Sequence, residues 1–289
     1  MPSSKWENLK KLVTRENLCI LLFLIGVCVL ISITQKDKTE IGQQVLQVDL
    51  DVWLKLQPEM RRDISLKRVC VCCYDDRVKT NLSIARLKKY NSEYCKIRDY
   101  DFVFLEQHIL SDKYPPYWLK VKIVQELVES NQYDYVMWID SDVAIYDRSI
   151  CIEQLFEINP KVILIKSTDN DKWSSTFNAG VWIIKNCDQS KELLRDWMNL
   201  FPSDKWVSKI DRNKRNWFVV GPYKWADESF EQGSGANLFR SEKYQNTILT
   251  LHWKILQAYK ADKSTFTLHF PSDFRPFMHE FINSLKHEK

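Results

Sequence analysis

The sequence predicts an α/β domain whose central strand runs into a ligand site, and three observations carry that reading. First, six of the eight residues from Tyr133 to Asp140 (YDYVMWID) are apolar or aromatic. A short run of this kind between polar flanks is a strand buried on both faces. Second, Pro115-Pro116 opens a helical stripe of Trp118, Val121, Val124 and Val128, which delivers the chain into that strand. With the strand patterns at Lys67–Tyr74 and Arg98–Leu105, this gives a β-α-β unit with a right-handed crossover. Third, the buried run ends abruptly in Asp140-Ser141-Asp142. Open sheets place their ligands at the carboxyl ends of such strands.

In extended chain Asp140 and Asp142 point to one side and Ser141 to the other. Adjacent anions repel unless a cation lies between them, and hard oxygen donors suit Mg²⁺ or Mn²⁺ carrying a phosphate-bearing ligand. The bland alternative is a solvated turn in which the carboxylates cap backbone N–H groups. The chain has 289 residues, 45% hydrophobic, with a formal net charge of +4 that does not argue for nucleic acid. It has only 6 Gly and no Gly-rich phosphate loop, so a metal is the available means of neutralising phosphates.

From the N-terminus, Leu18 to Ile33 is an uncharged apolar run. Extended to residues 18–35 it can just cross a thin bilayer. Lys5, Lys10, Lys11 and Arg15 precede it, which predicts a cytosolic tail over 1–17 and a type II signal anchor with the bulk of the chain luminal. A cleaved signal peptide is the competitor, with Ser32-Ile33-Thr34 a poor cleavage site. Residues 36–65, charged and without sustained pattern, are expected to be a stem, helical in part around Val45–Leu56 and stopped by Pro58. The catalytic domain is expected over 66–289.

Within it, the strand ending at Tyr74 faces the ligand, and Cys70 and Cys72 are expected to be small buried hydrophobes. Six cysteines lie beyond the anchor; their pairing cannot be deduced from sequence. Asn81-Leu82-Ser83 is a glycosylation sequon or a cap for a helix over Leu82–Tyr94. Lys120 and Lys122 fall off the apolar stripe of their helix; the default for such lysines is a solvated face, but a lysine near the sheet mouth could meet a phosphate. Strands follow at Lys161–Ile165 and after the polar bend Phe177-Asn178-Ala179-Gly180, where Gly180 admits close approach and the Asn178 amide can grip a hydroxylated ligand. A helix spans Lys191–Phe201. Pro202 to Lys224 carries six basic residues against two acidic ones, interleaved with Trp206 and Trp217. It reads as a long exposed excursion, or as a platform whose aromatics stack on sugars. Glu231-Gln232 begins a helix, and Thr265–Phe270 is a strand carrying His269.

Trp118-Leu-Lys120, Trp138-Ile-Asp140-Ser-Asp142, Phe177-Asn178-Ala-Gly180, Glu231-Gln232 and Leu268-His269-Phe270 occur in that order. As a set they resemble the Golgi α-glycosyltransferase family of yeast α-1,2-galactosyltransferases, the α-1,6-mannosyltransferase subunits of mannan polymerase and plant xyloglucan xylosyltransferases. The likeness runs from about Val69 to Phe281 and implies a GT-A fold, a Rossmann-like mixed sheet with helices on both faces. It also implies type II topology in the Golgi or ER membrane, a nucleotide-sugar donor with UDP-galactose favoured, a glycan acceptor, Mn²⁺ ahead of Mg²⁺, and retention of anomeric configuration. Homo- or hetero-oligomeric assembly is left open. Carried over by position, the resemblance makes Asp140, Asp142 and His269 metal ligands. Tyr74, Lys120, Asp140, Ser141, Asn178, Ala179 and Gly180 become donor contacts, and Gln232, Glu231 and Asp140 catalytic residues. Where relatives tend to have Gly two or three residues after the histidine, this chain has Pro271-Ser272.

The hard step would be loss of a nucleoside diphosphate from an anomeric carbon, which a cation assists without proton transfer. Retention follows from front-face attack or from a covalent intermediate on a carboxylate such as Glu231. Rival readings are a membrane-anchored assembly subunit without turnover and a glycogenin-like transferase, whose usual Lys-Pro-Trp after the final histidine is absent here. A metal-dependent phosphohydrolase would want more carboxylates and histidines at the sheet mouth.

Overall fold

The computed structural model describes residues 46–61, 67–170, 175–211 and 214–285. Strand β1 (Leu46–Val48) leads into helix α1 (Leu50–Leu56), which Asp49 caps by accepting from Val52 N at 2.9 Å. Strand β2 (Val69–Tyr74) is buried through its first five residues. Helix α2 (Leu82–Arg98) starts at Asn81, whose side chain accepts from Ser83 N and Ile84 N, and ends at left-handed Asp99. The cap expected of Asn81 is therefore present. Strand β3 (Asp101–Leu105), helix α3 (Pro116–Glu129) and strands β4 (Tyr135–Ile139) and β5 (Val143–Ile145) follow. On α3 the stripe of Trp118, Val121, Val124 and Val128 is fully buried. It packs with Val136 and Trp138 of β4 in the main core cluster.

Next come β6 (Leu164–Ser167), β7 (Val181–Lys185), α4 (Asp188–Asn199), β8 (Trp206–Asp211) and β9 (Lys214–Val219). The chain closes with α5 (Glu231–Leu238), β10 (Ile248–Leu251), α6 (Trp253–Leu256), β11 (Thr267–His269) and α7 (Arg275–Ser284). The main sheet has seven strands in the order β1-β10-β6-β7-β4-β2-β3. Only β7 is antiparallel to its neighbours. This polarity sends the carboxyl ends of the other six strands to one edge, where Asp75, Asp140, Thr168-Asp169 and His252 emerge. Strand β7 begins at that same edge, so the Asn178–Gly180 bend lies there as well. β5 and β11 form a small antiparallel sheet that pairs His269 with Val143, directly after Asp142. Far-apart stretches of sequence thus converge on one rim.

Four expectations are corrected. Residues 46–61, expected within a stem over 36–65, belong to the folded domain. β1 is the parallel edge partner of β10, and Trp53 is fully buried with its Nε1 donating to Ser264 O at 2.8 Å. Asp140 and Asp142 are brought together by a turn between β4 and β5, closed by Val143 N to Asp140 O at 3.1 Å, and not by alternation along one strand. Lys120 is buried and not solvated. The excursion over Pro202–Lys224 contains a β8–β9 ribbon. Among the described residues no helix is long and apolar enough to cross a membrane, and the tail and anchor expected over 1–35 lie outside them. Cys70 and Cys72 are buried, as expected.

Because Trp53 fills the core at the domain's start, Trp53→Ala should lower the unfolding free energy by about 3–5 kcal/mol in chemical denaturation. A loss under ~1 kcal/mol would return residues 46–61 to a stem.

Candidate active site

Asp140 leaves the end of β4 with one carboxylate oxygen already engaged. Trp138 Nε1 donates to Oδ1 at 2.7 Å and Lys120 Nζ donates to the same atom at 2.8 Å. The other oxygen, Oδ2, keeps no protein partner among the described residues. Lys120 reaches there because α3 packs against both β4 and α5. Its ammonium also lies 3.2 Å from Glu231 Oε1 and donates to Ala179 O at 3.3 Å. Burial works against that charge, but the Asp140 and Glu231 carboxylates outweigh it and hold the ammonium above the ordinary lysine range. Burial pushes the Glu231 carboxyl up against the pull of Lys120, with the Asp140 charge adding to the rise.

His269 arrives through the β5–β11 pairing and is seated by an absence. A Cβ at Gly180 would stand 2.2 Å from His269 Cε1, so only glycine leaves room for the ring. Gln257 Nε2 donates to Asn178 O and Val181 O, which turns Oε1 toward His269 Nδ1 at 2.6 Å. That contact puts the proton on Nδ1 and leaves the Nε2 lone pair facing Asp142 Oδ1 at 3.4 Å. Two acceptors in that position call for a cation, either a second imidazole proton or a metal. Burial raises the Asp142 carboxyl, and the adjacent imidazole more than reverses this, leaving it below the usual range. One donor atom each from Asp140, Asp142 and His269 lies within 4.8 Å of the others. Two carboxylates and one imidazole form a donor set that fits a divalent ion such as Mn²⁺.

The expected donor contacts fall in two groups around this cluster. Asn178 is turned inward: its Nδ2 donates to Asp169 Oδ1 at 2.9 Å and its Oδ1 accepts from Gly180 N at 2.8 Å. Gln232 Oε1 accepts from Ala179 N at 3.1 Å. Among the described residues Gln232 Nε2 and Glu231 Oε2 are buried without a hydrogen bond of ordinary length, although Gln232 lies close enough to Asp169 to draw its carboxyl down. Two polar atoms so placed on consecutive residues beside a metal-competent cluster mark where a polar ligand would be received. Ser141 Oγ turns away, to Asp75 Oδ2, which Arg77 also holds at 2.6 Å. Tyr74 stands half-buried at the end of β2 and shares no side-chain hydrogen bond with the Lys120 group among the described residues.

Gln257 and Asp169 had no signal in the sequence, being single polar residues joined to the site only by tertiary contact. His252, by contrast, caps α6 by accepting from Lys254 N at 3.2 Å. Ser272 takes up φ +42°, the left-handed shape that the expected glycine would favour, and retains it at a cost of about 1–2 kcal/mol.

Set beside known proteins, residues 72–172 match the family model described as the galactosyl transferase GMA12/MNN10 family. The matched segment holds Lys120, Asp140 and Asp142; Gly180, Glu231 and His269 lie beyond it. The chain is 25% identical over 138 residues to galactomannan galactosyltransferase 1 of Cyamopsis tetragonoloba, covering 44% of this chain and 31% of that protein. It is 25% identical over 170 residues to xyloglucan 6-xylosyltransferase 4 of Arabidopsis thaliana, covering 53% of this chain and 32% of that one. The matches thus span about a third of each relative. Together they support the family to which the sequence motifs pointed. A crystal structure of a glycosyltransferase involved in glycosylation of the major capsid of PBCV-1 superposes with a TM-score of 0.51 at 15% identity, covering 75% of this chain and 99% of that one. That likeness is one of fold: a mixed α/β architecture with a central sheet.

Gly180→Ala and Gln257→Leu should each weaken Mn²⁺ binding about 10–100-fold in titration calorimetry of the folded protein. Unchanged affinity in both would remove His269 from the ligand set. A separate outcome concerns Lys166 on β6, buried with Nζ donating to Thr176 O at 2.7 Å. Burial, with Arg240 nearby, pushes this ammonium down to about 8 from an ordinary 10.5. Below the folded value both folded and unfolded chains hold the proton, and the burial penalty is carried in full. Between the two values the unfolded chain binds more protons, so stability rises with pH. Lys166→Met should therefore stabilise the protein by about 2–3 kcal/mol at pH 7, with the gain fading above pH ~10 in denaturant titrations.

Proposed function

We propose that the chain is a metal-dependent retaining glycosyltransferase with a GT-A fold. It moves a hexosyl or pentosyl unit from a nucleotide-sugar, a UDP-sugar by preference, to a glycan acceptor. The observation that carries this reading is the convergence of Asp140, Asp142 and His269 at the rim of the sheet, beside the buried Lys120–Glu231 pair. The family match over residues 72–172 supports it. The proposal extends to a single-pass type II placement with the domain in the Golgi or ER lumen, which rests on the apolar run over 18–35.

A bound divalent cation would supply charge neutralisation of the departing diphosphate. The chain's own groups do the rest. Asp140 offers Oδ2 while Trp138 and Lys120 fix Oδ1, so its carboxylate cannot rotate away. Gln257 fixes the His269 tautomer, leaving Nε2 as the ligating atom. Gln232, pinned through Oε1, turns its Nε2–H groups toward the sugar. Glu231, balanced by Lys120, supplies negative charge beside the anomeric carbon as positive charge develops there. The leaving phosphate then takes the acceptor's proton in a front-face attack, which gives retention without a general base on the protein. Lys120 acts in this scheme by positioning Asp140 and Glu231.

The test is a donor series of UDP-Gal, UDP-Glc, UDP-Xyl and GDP-Man with Mn²⁺, read as release of free nucleotide. Asp140→Asn and Asp142→Asn should each lower the rate by ~10²-fold or more. His269→Ala should raise the Mn²⁺ concentration required, and His252→Ala should be near neutral. Nucleotide-sugar binding without turnover would leave an assembly subunit, and full activity in excess chelator would remove the metal.

A further inference from the structure

A hollow of about 1180 Å³ opens between α1, α2, the end of α7 and the β5–β11 pair. It shares no lining residue with the candidate active site. Tyr146, which follows β5, and Thr265, which precedes β11, line it, whereas Val143 and His269 pair at the opposite end of that ladder. Helix α2 contributes Arg86, Lys89, Tyr90 and Glu93, the i, i+3, i+4, i+7 spacing of one helical face. Buried Asn91 latches the same helix to β5: its Nδ2 donates to Val143 O at 2.8 Å and its Oδ1 accepts from Ile145 N at 2.9 Å. This wall is therefore set by the fold before any ligand arrives.

Five basic side chains line the hollow against three acidic ones, and all three carboxylates are already engaged. Asp147 accepts from Arg61 Nη2 at 2.9 Å and from Ser149 N at 3.0 Å. Glu93 lies 3.2 Å from Arg148 Nη2, and that guanidinium sits over the Tyr90 ring at 4.0 Å. Asp262 accepts from Ser264 N at 2.7 Å. Arg86, Lys89 and Lys263 are left with no ion pair or hydrogen bond among the described residues. The remaining wall is apolar: Leu54 of α1, Ile282 and Leu285 at the end of α7, and Tyr146, which is 42% exposed.

We propose that this hollow is a second binding site, for an amphiphile that joins a phosphate monoester to an apolar chain. A monoester carries nearly two negative charges near pH 7, which answers three unpaired cations better than a lone carboxylate does. The Arg86 fork suits its oxygens, and the two lysines act as point charges. Ion pairs this open to solvent are individually weak, so the cations alone would hold inorganic phosphate no tighter than about 1 mM. The hollow is also far larger than such an ion fills, and its apolar wall gains only from a ligand with a chain to bury. The inference stands apart from the glycosyltransferase reading, since it uses none of the same residues.

The test is titration calorimetry of the full chain with dihexanoyl phosphatidic acid, dihexanoyl phosphatidylcholine, inorganic phosphate and a short polyglutamate peptide. Chelator is present throughout, so that no metal draws phosphate to the acidic rim. Phosphatidic acid should bind at least about tenfold more tightly than the other three. Arg86→Ala combined with Lys89→Ala should weaken that binding about tenfold or more, and Tyr146→Ala about threefold. Lys96→Ala, on α2 but outside the lining, should leave it unchanged. Equal binding of phosphatidylcholine or inorganic phosphate would overturn the proposal, as would preference for the peptide. So would the absence of phosphatidic acid binding, or binding indifferent to the double substitution or to Tyr146→Ala.

Discussion

One buried ammonium ties the candidate site together. Lys120 is almost wholly out of water, yet it sits between the carboxylates of Asp140 and Glu231 and touches the Ala179 carbonyl. Those partners come from the end of β4, the start of α5 and the bend before β7. A buried ion pair of this kind adds little net stability, because desolvation offsets most of the attraction. Its removal, however, would strand two carboxylates near each other in a poorly solvated place. The pair therefore acts as a geometric constraint: β4, α3 and α5 must meet in one arrangement for the charges to cancel.

The same accounting explains why the rim invites a cation. Asp140, Asp142, Asp169 and Glu231 crowd the carboxyl edge, while Lys120 and the His269 imidazole are the basic side chains that meet them among the described residues. Burial holds the Asp169 carboxyl above its ordinary range, and Asn178, Asn170 N, His269 and Gln232 only partly oppose the rise. Negative charge is thus in excess where the proposed donor would bring its diphosphate. A divalent ion is the simplest way for one pocket to accept both.

Local pattern revealed the parts of this architecture that depend on local pattern. The β4 run and the α3 stripe were legible because burial on a helix or strand imposes a period on neighbouring residues. The acidic pair was legible because two charges ending a buried strand need a reason. The stripe alone hides the burial of Lys120, since it records only the broadest buried face and α3 is covered on a second side by α5. Residues 46–61 read as a stem because a three-residue edge strand has no period to show, and its partner β10 lies some two hundred positions onward. Gln257 and Asp169 escaped notice for a related reason: each matters through one contact with a residue distant in sequence.

The pairing of β11 with β5 has a bearing on timing. The acidic pair is made well over a hundred residues before the imidazole beside it, which sits on β11. While the ribosome is still at work, the emerging chain carries two aspartates and no third donor, and the cavity next to Gly180 stands empty. The three donor groups are thus assembled only once the stretch that carries His269 has been synthesised, and a product terminated before it would lack the third.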